Sequence, residues 1–472
     1  MDIRFYANLG DDNADQLGLD IGSREGILLS APGVSPKTAE VARGLSGRSI
    51  PLAADNGNTA VIHFAAGEFL NRARELEGEA AKESAAGAGL MSAPLRAKYR
   101  TLTADIARRC AEFAAPERQR GALASQAAVA PEFFMCLEDL TIPVLISLDV
   151  DPAATGRRRS GFVALQRRGL AAVDDVLRGQ AGPAVGIPYA TLHAYDYDGA
   201  CQVGAQAAPI EGLQGLAVGL ASFLNDRGYT SDYTLKGRRV WVDGRRHVPR
   251  RYLRLLLVTL GLLDGFRGQG RPIPRLHGLG GGAPMVLPFL ALCAYGSPML
   301  STDSTSPEKN ASMGKLFVST PAPMTVGIAA VAQALIEERR TWDCPCPGCS
   351  ALEKLLPKDL PSARGFYRKN IAPKKIENRD LEDAGGIGRF IPLCWEAAAK
   401  ETRALVKRAR SEHNQWAIAE IARGLREHSS TYAQLREWVG SLCRDYSASA
   451  QPTYALQFDE CLRLVDRLRP GS

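Results

Sequence analysis

Three cysteines within six residues carry the clearest chemical signal in the sequence. They are Cys344, Cys346 and Cys349, in the run C-P-C-P-G-C. Thiolates at this spacing can close round one tetrahedral zinc ion, and the intervening Pro and Gly residues favour the tight turn that such a site needs. The alternative is a redox-active or merely buried cysteine cluster. Because such a run on a Pro-rich turn rarely serves packing alone, the spacing predicts a structural metal site that needs a fourth ligand.

Three aspartates each end a short apolar run that we predict to be a β-strand. They are Asp55, Asp149 and Asp303. The carboxyl ends of the strands of a parallel barrel meet at one mouth, so we expect these carboxylates to converge there. Carboxylates can act as nucleophiles or as general acids and bases. The alternative for any one of them is a turn former or a helix N-cap.

Basic residues are concentrated between residues 236 and 252, where Trp241 and Tyr252 are interleaved with them. Guanidinium groups neutralise phosphates and aromatic rings offer stacking planes, so the segment favours a nucleic-acid partner over an ordinary solvated face. The residues predicted to hold phosphates are Arg238, Arg239, Arg245, Arg246, Arg250 and Arg251.

The order of apolar and helical segments predicts an α/β fold. Short apolar runs alternate with helical stretches, and their number suits a (β/α)8 TIM barrel, with a doubly wound open sheet as the alternative. We expect a barrel catalytic domain over residues 1–330 with a helical insertion at about 60–128, a zinc-binding subdomain over 331–427 and a C-terminal helical extension over 428–472. The predicted strands are residues 26–30, 50–55, 143–149, 184–187, 275–280 and 298–303.

The composition is typical of a globular protein. The chain has 472 residues, 45% of them hydrophobic, and a formal net charge of +7. Its ten cysteines have no framework-like spacing and polar residues follow Met1 directly, so we expect a reducing cytoplasm. The most apolar stretch, residues 253–266, is interrupted by Arg254, Asp264 and glycines, so we expect no membrane span.

The order of these motifs resembles that of the tRNA-guanine transglycosylase superfamily over about residues 50–426. Each short piece alone is weak, but their combination in this order is specific. The similar segments are A-D-N-G-N at 54–58, L-D-V-D at 148–151, Q-G-L-A-V-G at 214–219, P-R-L-H-G-L-G at 274–280, T-D-S at 302–304, the cysteine triplet and His413-Asn414.

Members of this superfamily exchange a guanine base in nucleic acid for a 7-deazaguanine. The resemblance implies that Asp303 is a nucleophile that forms a covalent bond to the sugar and that Asp55 is the general acid/base. It implies that Asp149 reads the guanine, because an ionised carboxylate accepts hydrogen bonds from the adjacent N–H donors of that base. Backbone groups of Gly215 and Leu216 would complete the base pocket.

The resemblance also implies a structural Zn²⁺ held by the three cysteines and His413. The interval from Cys349 to His413 is longer than in the family, which leaves Cys394 and His428 as alternative fourth ligands. Leu220 stands where the family has a glutamate that belongs to enzymes handling an aminomethyl base. We therefore expect an incoming base with another substituent, a nitrile.

The polymer is expected to be DNA, with tRNA as the alternative. The divergent base-pocket turns, D-N-G in place of D-S-G, the insertion near the cysteines and the lack of an appended RNA-binding module favour DNA. A base in a duplex must be flipped out to reach such a pocket. An alternative of another class is a non-catalytic nucleic-acid-binding accessory subunit. The sequence leaves open a partner ATPase and a homodimer.

Overall fold

The computed structural model describes the greater part of the chain, with gaps. The described residues are 1–9, 25–30, 35–46, 50–85, 91–113, 116–136, 138–148, 150, 160–179, 186–220, 234–235, 238–239, 251–283, 285–319, 323–328, 330–331, 342–353, 400–449 and 452–469.

Eight parallel strands form a closed barrel, which confirms the predicted α/β barrel and excludes the doubly wound alternative. The strands follow each other round the barrel in the order β1-β10-β9-β6-β5-β4-β3-β2. Two antiparallel pairs, β7 with β8 and β11 with β12, lie outside it. The strands are β1 Asp2–Leu9, β2 Gly26–Ser30, β3 Leu52–Asp55, β4 Phe133–Met135, β5 Ile187–Leu192, β6 Gly215–Gly219, β7 Thr234–Leu235, β8 Arg238–Arg239, β9 Arg275–Leu279, β10 Met299–Ser304, β11 Lys315–Val318 and β12 Met324–Gly327.

Helices connect the strands and cover the outside of the barrel. In the described part of the chain they are α1 Pro36–Ser46, α2 Asn58–Ala85, α3 Ala93–Phe113, α4 Pro116–Ala127, α5 Thr141–Ser147, α6 Ser160–Gly179, α7 Tyr197–Ala207, α8 Arg251–Arg267, α9 Val286–Cys293, α10 Ser306–Ser312, α11 Pro347–Glu353, α12 Lys400–Glu427, α13 Tyr432–Ser449 and α14 Pro452–Leu468. Among the described helices, none has the length and apolar character needed to cross a membrane.

The period of two along each strand separates an outer core from a barrel interior. On β1 the odd-numbered residues pack outward with the helices, whereas Tyr6 points into the barrel. The interior cluster consists of Tyr6, Leu28, Ala53, Phe133, Met135, Tyr189, Ala217 and Met299. Towards the carboxyl end of three strands the same inward face carries polar residues. They are Asn8 on β1, Asp55 on β3, and Ser301 and Asp303 on β10. The inward face is therefore apolar in the barrel interior and polar at the mouth formed by the carboxyl ends of the strands.

An ion-pair group occupies the opposite, amino-terminal end of the barrel. Glu132 accepts hydrogen bonds from Arg4 at 3.1 Å and from the Tyr6 hydroxyl at 3.3 Å. Arg275 lies 3.6 Å from the same carboxylate. This end carries matched charges that stabilise the barrel, whereas the carboxyl end carries an excess of carboxylates.

The strand predicted at residues 143–149 is wrong, because this segment is the helix α5. The barrel strand at this position is instead β4, ten residues earlier. Residues 141–146 are all buried, and the backbone N–H of Thr141 donates to the Asp139 carboxylate at 2.9 Å at the start of the helix. A short apolar run that is buried on all sides has no periodicity that separates a helix from a strand.

Helices α7 and α8 pack unusually closely because glycines replace side chains at their contact. A Cβ atom at Gly261 would lie 2.5 Å from the carbonyl oxygen of Tyr197, and one at Gly265 would overlap the carbonyl oxygen of Cys201. The obstacle in both cases is backbone, which cannot turn aside as a flexible side chain can. The close approach therefore depends on these glycines.

We expect Gly265→Ala to lower the free energy of unfolding by about 2 kcal/mol or more, because the added methyl group forces the two helices apart. Urea denaturation measures the change. Gly67→Ala on α2 is the matched control, since a Cβ there meets nothing within 4 Å. The control should be neutral or slightly stabilising. Equal stability of Gly265→Ala and the parent would contradict the close helix contact.

The C-terminal helices are part of the same body as the barrel. Helix α12 packs against β1, α10 and β11, while α14 packs against α8 and α13 against α9. The guanidinium of Arg426 on α12 donates to the carbonyl oxygen of Ile3 and pairs with Glu25. Helix α12 therefore lies directly on the barrel strand that neighbours β10.

Candidate active site and metal centre

Two of the three predicted aspartates meet at the barrel mouth. Asp55 is the last residue of β3 and Asp303 lies one residue before the end of β10. Their side chains are almost buried, with 6% and 7% of the residue surface exposed. The charge on Asp303 is close enough to perturb the proton affinity of Asp55. The structure therefore brings these two carboxyl groups into one site.

Asp303 is held by three donors from two segments, β1 and the end of β9. Its Oδ1 accepts hydrogen bonds from the backbone N–H of Gly280 at 3.0 Å and from Nε2 of His277 at 3.2 Å. Its Oδ2 accepts one from the Asn8 side chain at 3.3 Å. Gly280 has a φ of +74°, a backbone conformation that favours glycine and aims this N–H at the carboxylate. Donors on both oxygens fix the orientation of this carboxylate at the mouth.

Asp55 lies in surroundings that disfavour its ionised form. Burial raises its pKa from 3.8 to about 7, with further raising contributions from the charges of Asp303 and Glu138, against lowering hydrogen bonds from the amides of Asn56 and Gly57. A carboxyl group with a pKa near neutrality can both give and take a proton at physiological pH. The pair thus combines a carboxylate supported by donors with a carboxyl group that is ready to exchange a proton.

Asp55 does not cap the helix that follows it. That role falls to Asn56, whose side-chain oxygen accepts a hydrogen bond from the backbone N–H of Asn58 at 3.1 Å. Gly57 between them has a φ of +70°, which allows the tight D-N-G turn. The first amide of α2 is therefore bound by Asn56, whereas the Asp55 carboxyl accepts from the amides of Asn56 and Gly57 ahead of the helix.

The raised pKa of Asp55 predicts a pH-dependent stability. The folded chain holds this proton more tightly than the unfolded chain, so the stabilisation is complete below about pH 4 and is lost as the pH rises to about 7. Asp55→Asn cannot ionise. Its stability advantage over the parent should grow between pH 5 and pH 8.5 by about 2 to 3 kcal/mol.

Urea denaturation at the two pH values measures this growth. Asp459→Asn, a change at an exposed residue on α14, reports the pH dependence common to the whole chain. An advantage of Asp55→Asn that is the same at both pH values would contradict the raised pKa.

A third carboxylate at the mouth, Glu138, was missed in the sequence. It lies just after β4, pairs with Nε2 of His193 just after β5, and lies 3.5 Å from the Asn58 amide. Both members of the pair are almost buried. Gly219 at the end of β6 leaves room for the His193 ring, since a Cβ there would lie 2.8 Å from its Cε1. The signal that could have located Glu138 was the apolar triplet Phe133–Met135 followed at once by polar residues.

Two of the predicted base-pocket residues, Gly215 and Leu216, do not reach the mouth. Gly215 and Leu216 lie at the amino end of β6, beside Arg275 and Leu276 of β9, and Gly215 makes room for the Tyr189 ring in the barrel interior. The mouth end of this strand is Gly219. Asp149 lies outside the described residues, and the strand that was to present it is a helix. The structure therefore places Gly215 and Leu216 away from the mouth, and the role of Asp149 stays a prediction.

The predicted phosphate-binding arginines fall mostly outside the described side chains. Arg245, Arg246 and Arg250 lie outside the described residues. Backbone positions are available for the others: Arg238 and Arg239 form β8, and Arg251 begins α8. Their role stays a prediction.

The predicted metal ligands form one buried cluster. Cys344, Cys346, Cys349 and His413 bring their ligand atoms within 4.8 Å of one another. Nδ1 of His413 lies 3.4, 3.5 and 3.6 Å from the three Sγ atoms, in chain order. Zn–S bonds of about 2.3 Å and Zn–N bonds of about 2.0–2.1 Å at a tetrahedral angle place sulfur and nitrogen ~3.5 Å apart. The cluster could therefore hold a metal ion, and its geometry is consistent with zinc.

Neighbouring groups orient these ligands. Nε2 of His413 lies 3.0 Å from the carbonyl oxygen of Phe317, so it carries the proton and leaves the Nδ1 lone pair for a metal. The Trp342 indole N–H and the Cys349 amide each donate to a sulfur at 3.3 Å. A Cβ at Gly348 would overlap the Ala409 carbonyl oxygen, so this glycine lets the cysteine turn reach α12.

Of the two alternative fourth ligands, only His428 lies within the described residues. Its ring makes other contacts, since its Nδ1 lies 2.8 Å from the carbonyl oxygen of Gly424 and the ring stacks on Trp438. Cys394 lies outside the described residues. His413 is the ligand that the geometry supports.

Asn414 links the metal helix to the segment that follows Asp303. Its side-chain oxygen accepts from the Phe317 N–H at 2.7 Å, and its amide donates to the carbonyl oxygens of Pro307 and Lys315 at 3.0 and 3.2 Å. These partners lie on α10 and β11, the elements directly after β10. The helix that carries His413 is therefore hydrogen-bonded to the two elements that follow Asp303 along the chain.

Comparison of the chain with protein-family models and with curated proteins gives no match.

Proposed function

We propose that the protein is a transglycosylase that exchanges guanine in DNA for a 7-deazaguanine, in its 7-cyano form, as its resemblance to the tRNA-guanine transglycosylase superfamily implies. The observation that carries the proposal is the pairing of Asp303 with Asp55 at one barrel mouth. Asp303 has donors on both oxygens, and Asp55 has a pKa of about 7. Base exchange at an intact sugar needs both kinds of carboxyl group.

The chemistry proceeds by two displacements with overall retention. Asp303 attacks C1′ of the target nucleotide while Asp55 protonates the departing guanine. Asp55 then accepts the proton of the incoming 7-deazaguanine, which displaces Asp303 from the sugar. The target base must be flipped out of a duplex before the mouth can reach it.

Glu138 is the carboxylate that we propose reads the guanine, in place of Asp149. It lies at the mouth end of the strand preceding α5, and its charge contributes to the raised pKa of Asp55. Carboxylate oxygens accept hydrogen bonds from the adjacent N–H donors of guanine. His193 and Asn58 orient the carboxylate from two other segments. Glu138→Gln keeps the shape but offers a donor where two acceptors are needed, so it should raise KM for the base more than it lowers kcat.

We propose Zn²⁺ as the occupant of the cysteine–histidine cluster, with a structural role. Three thiolates and one imidazole are a closed ligand set for zinc, with no position left for substrate. Its part is to fix α11 to α12, and through His413 and Asn414 to hold β11 behind the Asp303 strand.

A labelled-guanine release assay tests the proposal. The purified chain is offered duplex DNA and tRNA, each with labelled guanine, with and without 7-cyano-7-deazaguanine. Release from DNA that depends on the incoming base supports the proposed function. The matched control for the substituent is the 7-deazaguanine that carries an aminomethyl group in place of the nitrile. Leu220 cannot form an ion pair with the ammonium of that group.

The other outcomes separate the alternatives. Release from tRNA alone would assign the activity to RNA. Release from neither polymer, also after addition of ATP and an extract of the source cells, would refute catalysis; retention of DNA binding would then favour the accessory subunit.

A further inference from the structure

His277 is a buried imidazole inside the barrel that the predicted mechanism does not use. It lies in the middle of β9, between β6 and β10, and is fully buried. Its Nδ1 lies 2.8 Å from Oγ of Ser301, and its Nε2 lies 3.2 Å from Oδ1 of Asp303. Aromatic rings of Tyr6 and Phe133 flank it. Two hydrogen bonds and two aromatic neighbours therefore hold the ring with its Nε2 edge on the carboxylate.

The chemistry of the partners determines which nitrogen carries the proton. An ionised carboxylate only accepts hydrogen bonds, so Nε2 must be the donor towards Asp303. With the proton on Nε2, Nδ1 is the acceptor, and the Ser301 hydroxyl donates to it. Ser301 is itself fully buried. The chain of hydrogen bonds therefore runs from Ser301 through His277 to Asp303, with every donor directed towards the carboxylate.

The two oxygens of Asp303 consequently differ. Oδ1 accepts two hydrogen bonds, from His277 and from the Gly280 amide. Within the described part of the chain, Oδ2 accepts one, from Asn8 at 3.3 Å. A carboxylate oxygen with two donors has its lone pairs engaged, whereas the other oxygen keeps a lone pair for attack.

We propose that His277 is a positioning residue that makes Oδ2 of Asp303 the attacking oxygen and holds the negative charge on Oδ1 when the sugar leaves. This inference rests on the proposed transglycosylase function. In the first displacement an Oδ2 lone pair bonds to C1′, the C1′–N9 bond breaks with its electron pair on guanine, and the Asp55 proton neutralises that charge. In the second, the incoming base bonds to C1′ through N9, loses its proton to Asp55, and the C1′–Oδ2 pair returns to the carboxylate.

The charge of Asp303 disappears in the first displacement and reappears in the second. Donors on Oδ1 therefore favour breakdown of the covalent adduct more than its formation. Removing the His277 donor should slow breakdown by about 10- to 100-fold, the worth of a hydrogen bond to a charged group, and slow formation less. The adduct should accumulate as a result, which a merely structural defect would not produce.

Three variants separate the donor from the packing. His277→Leu removes the donor, whereas His277→Gln can donate its amide to Asp303 and accept from Ser301 in the same order. Ser301→Ala perturbs the same buried position without removing the donor. Rapid mixing with DNA containing labelled guanine gives the rate of adduct formation, and addition of the deazaguanine gives the rate of breakdown. We expect slowed breakdown and adduct accumulation in His277→Leu, with breakdown in His277→Gln and Ser301→Ala within about fivefold of the parent. Equal slowing of both steps, or no rescue by His277→Gln, would overturn the proposal.

A second measurement does not depend on activity. Nitrogen NMR of the ¹⁵N-histidine-labelled full chain, with the His277 signals assigned by their absence in His277→Gln, reports the protonated nitrogen. We expect a proton on Nε2 in the parent and a shifted Nε2 signal in Asp303→Asn. A proton on Nδ1 would overturn the positioning role whatever the exchange assay gives. The expected tautomer in a parent chain that forms no adduct would instead refute the transglycosylase function.

Discussion

Asp303→Asn is expected to abolish the covalent protein–DNA adduct and to lower base exchange by at least about 10³-fold. The amide has the size of the carboxylate but no anionic lone pair to attack C1′. Its oxygen can still accept from Gly280 and His277, which both donate to Oδ1, but its N–H₂ group then faces the Asn8 amide, another donor, at the position of Oδ2. A denaturing gel of the chain mixed with end-labelled duplex DNA, without the incoming base, measures the trapped adduct.

The matched control is Asp466→Asn. Asp466 is an exposed carboxylate on α14 that pairs with Arg436 and has no contact with Asp303 or Asp55 in the described structure, so its loss should leave the adduct unchanged. An undiminished adduct in Asp303→Asn would sink the assignment of the nucleophile. Loss of the adduct in both variants would point instead to a general loss of folded protein, which the unfolding curves of the two chains would reveal.

Cys346→Ser is expected to remove the bound metal and to destabilise the fold by about 3 kcal/mol or more. A serine hydroxyl is a poor zinc ligand, and the remaining three donors leave the ion open to water. Cys346 is fully buried, and its sulfur also accepts the Cys349 amide. Metal content by emission spectrometry and urea denaturation, both on the full chain, measure the two effects.

Cys461→Ser is the control for this change, since Cys461 is equally buried but lies outside the cluster. It should retain the metal and show only the smaller cost of a buried hydroxyl, about 1 to 3 kcal/mol. Retention of one metal ion per chain by Cys346→Ser would contradict the ligand set. A chelator should reproduce the loss of stability in the parent but add nothing in Cys346→Ser.

The link from the metal centre to Asp303 adds an expected loss of exchange activity in Cys346→Ser. His413 and Asn414 hold β11, and β11 follows β10 and α10 along the chain. Freeing α12 from the cysteine turn would therefore relax the segment that follows Asp303, the proposed nucleophile. The zinc would affect the rate only indirectly, by fixing the position of Asp303. A closed ligand set that offers no position to substrate is compatible with such an effect.

Parts of the fold were predictable because their signals are local. Strands were predicted at residues 26–30, 50–55 and 298–303 from short apolar runs bounded by polar residues, and the structure has strands at Gly26–Ser30, Leu52–Asp55 and Met299–Ser304. The run before Asp149 has the same appearance and is a helix, because a segment buried on all sides has no polar face to reveal its period. The three-residue strand β4 was too short to be recognised, and with it Glu138 was missed.

By itself the sequence determined the donor types and their order along the chain: three thiolates on a Pro-Gly turn, a histidine on a later helix, and aspartates at the ends of two strands. Those features depend on composition and local spacing, which are readable in one dimension. Only the tertiary structure decided that His413 rather than His428 faces the cysteines, that Glu138 and His193 join the mouth, and that His277 supports Asp303. Each of these depends on strands and helices distant in sequence being brought into register by closure of the barrel, and the direction in which a side chain then points is set by that packing.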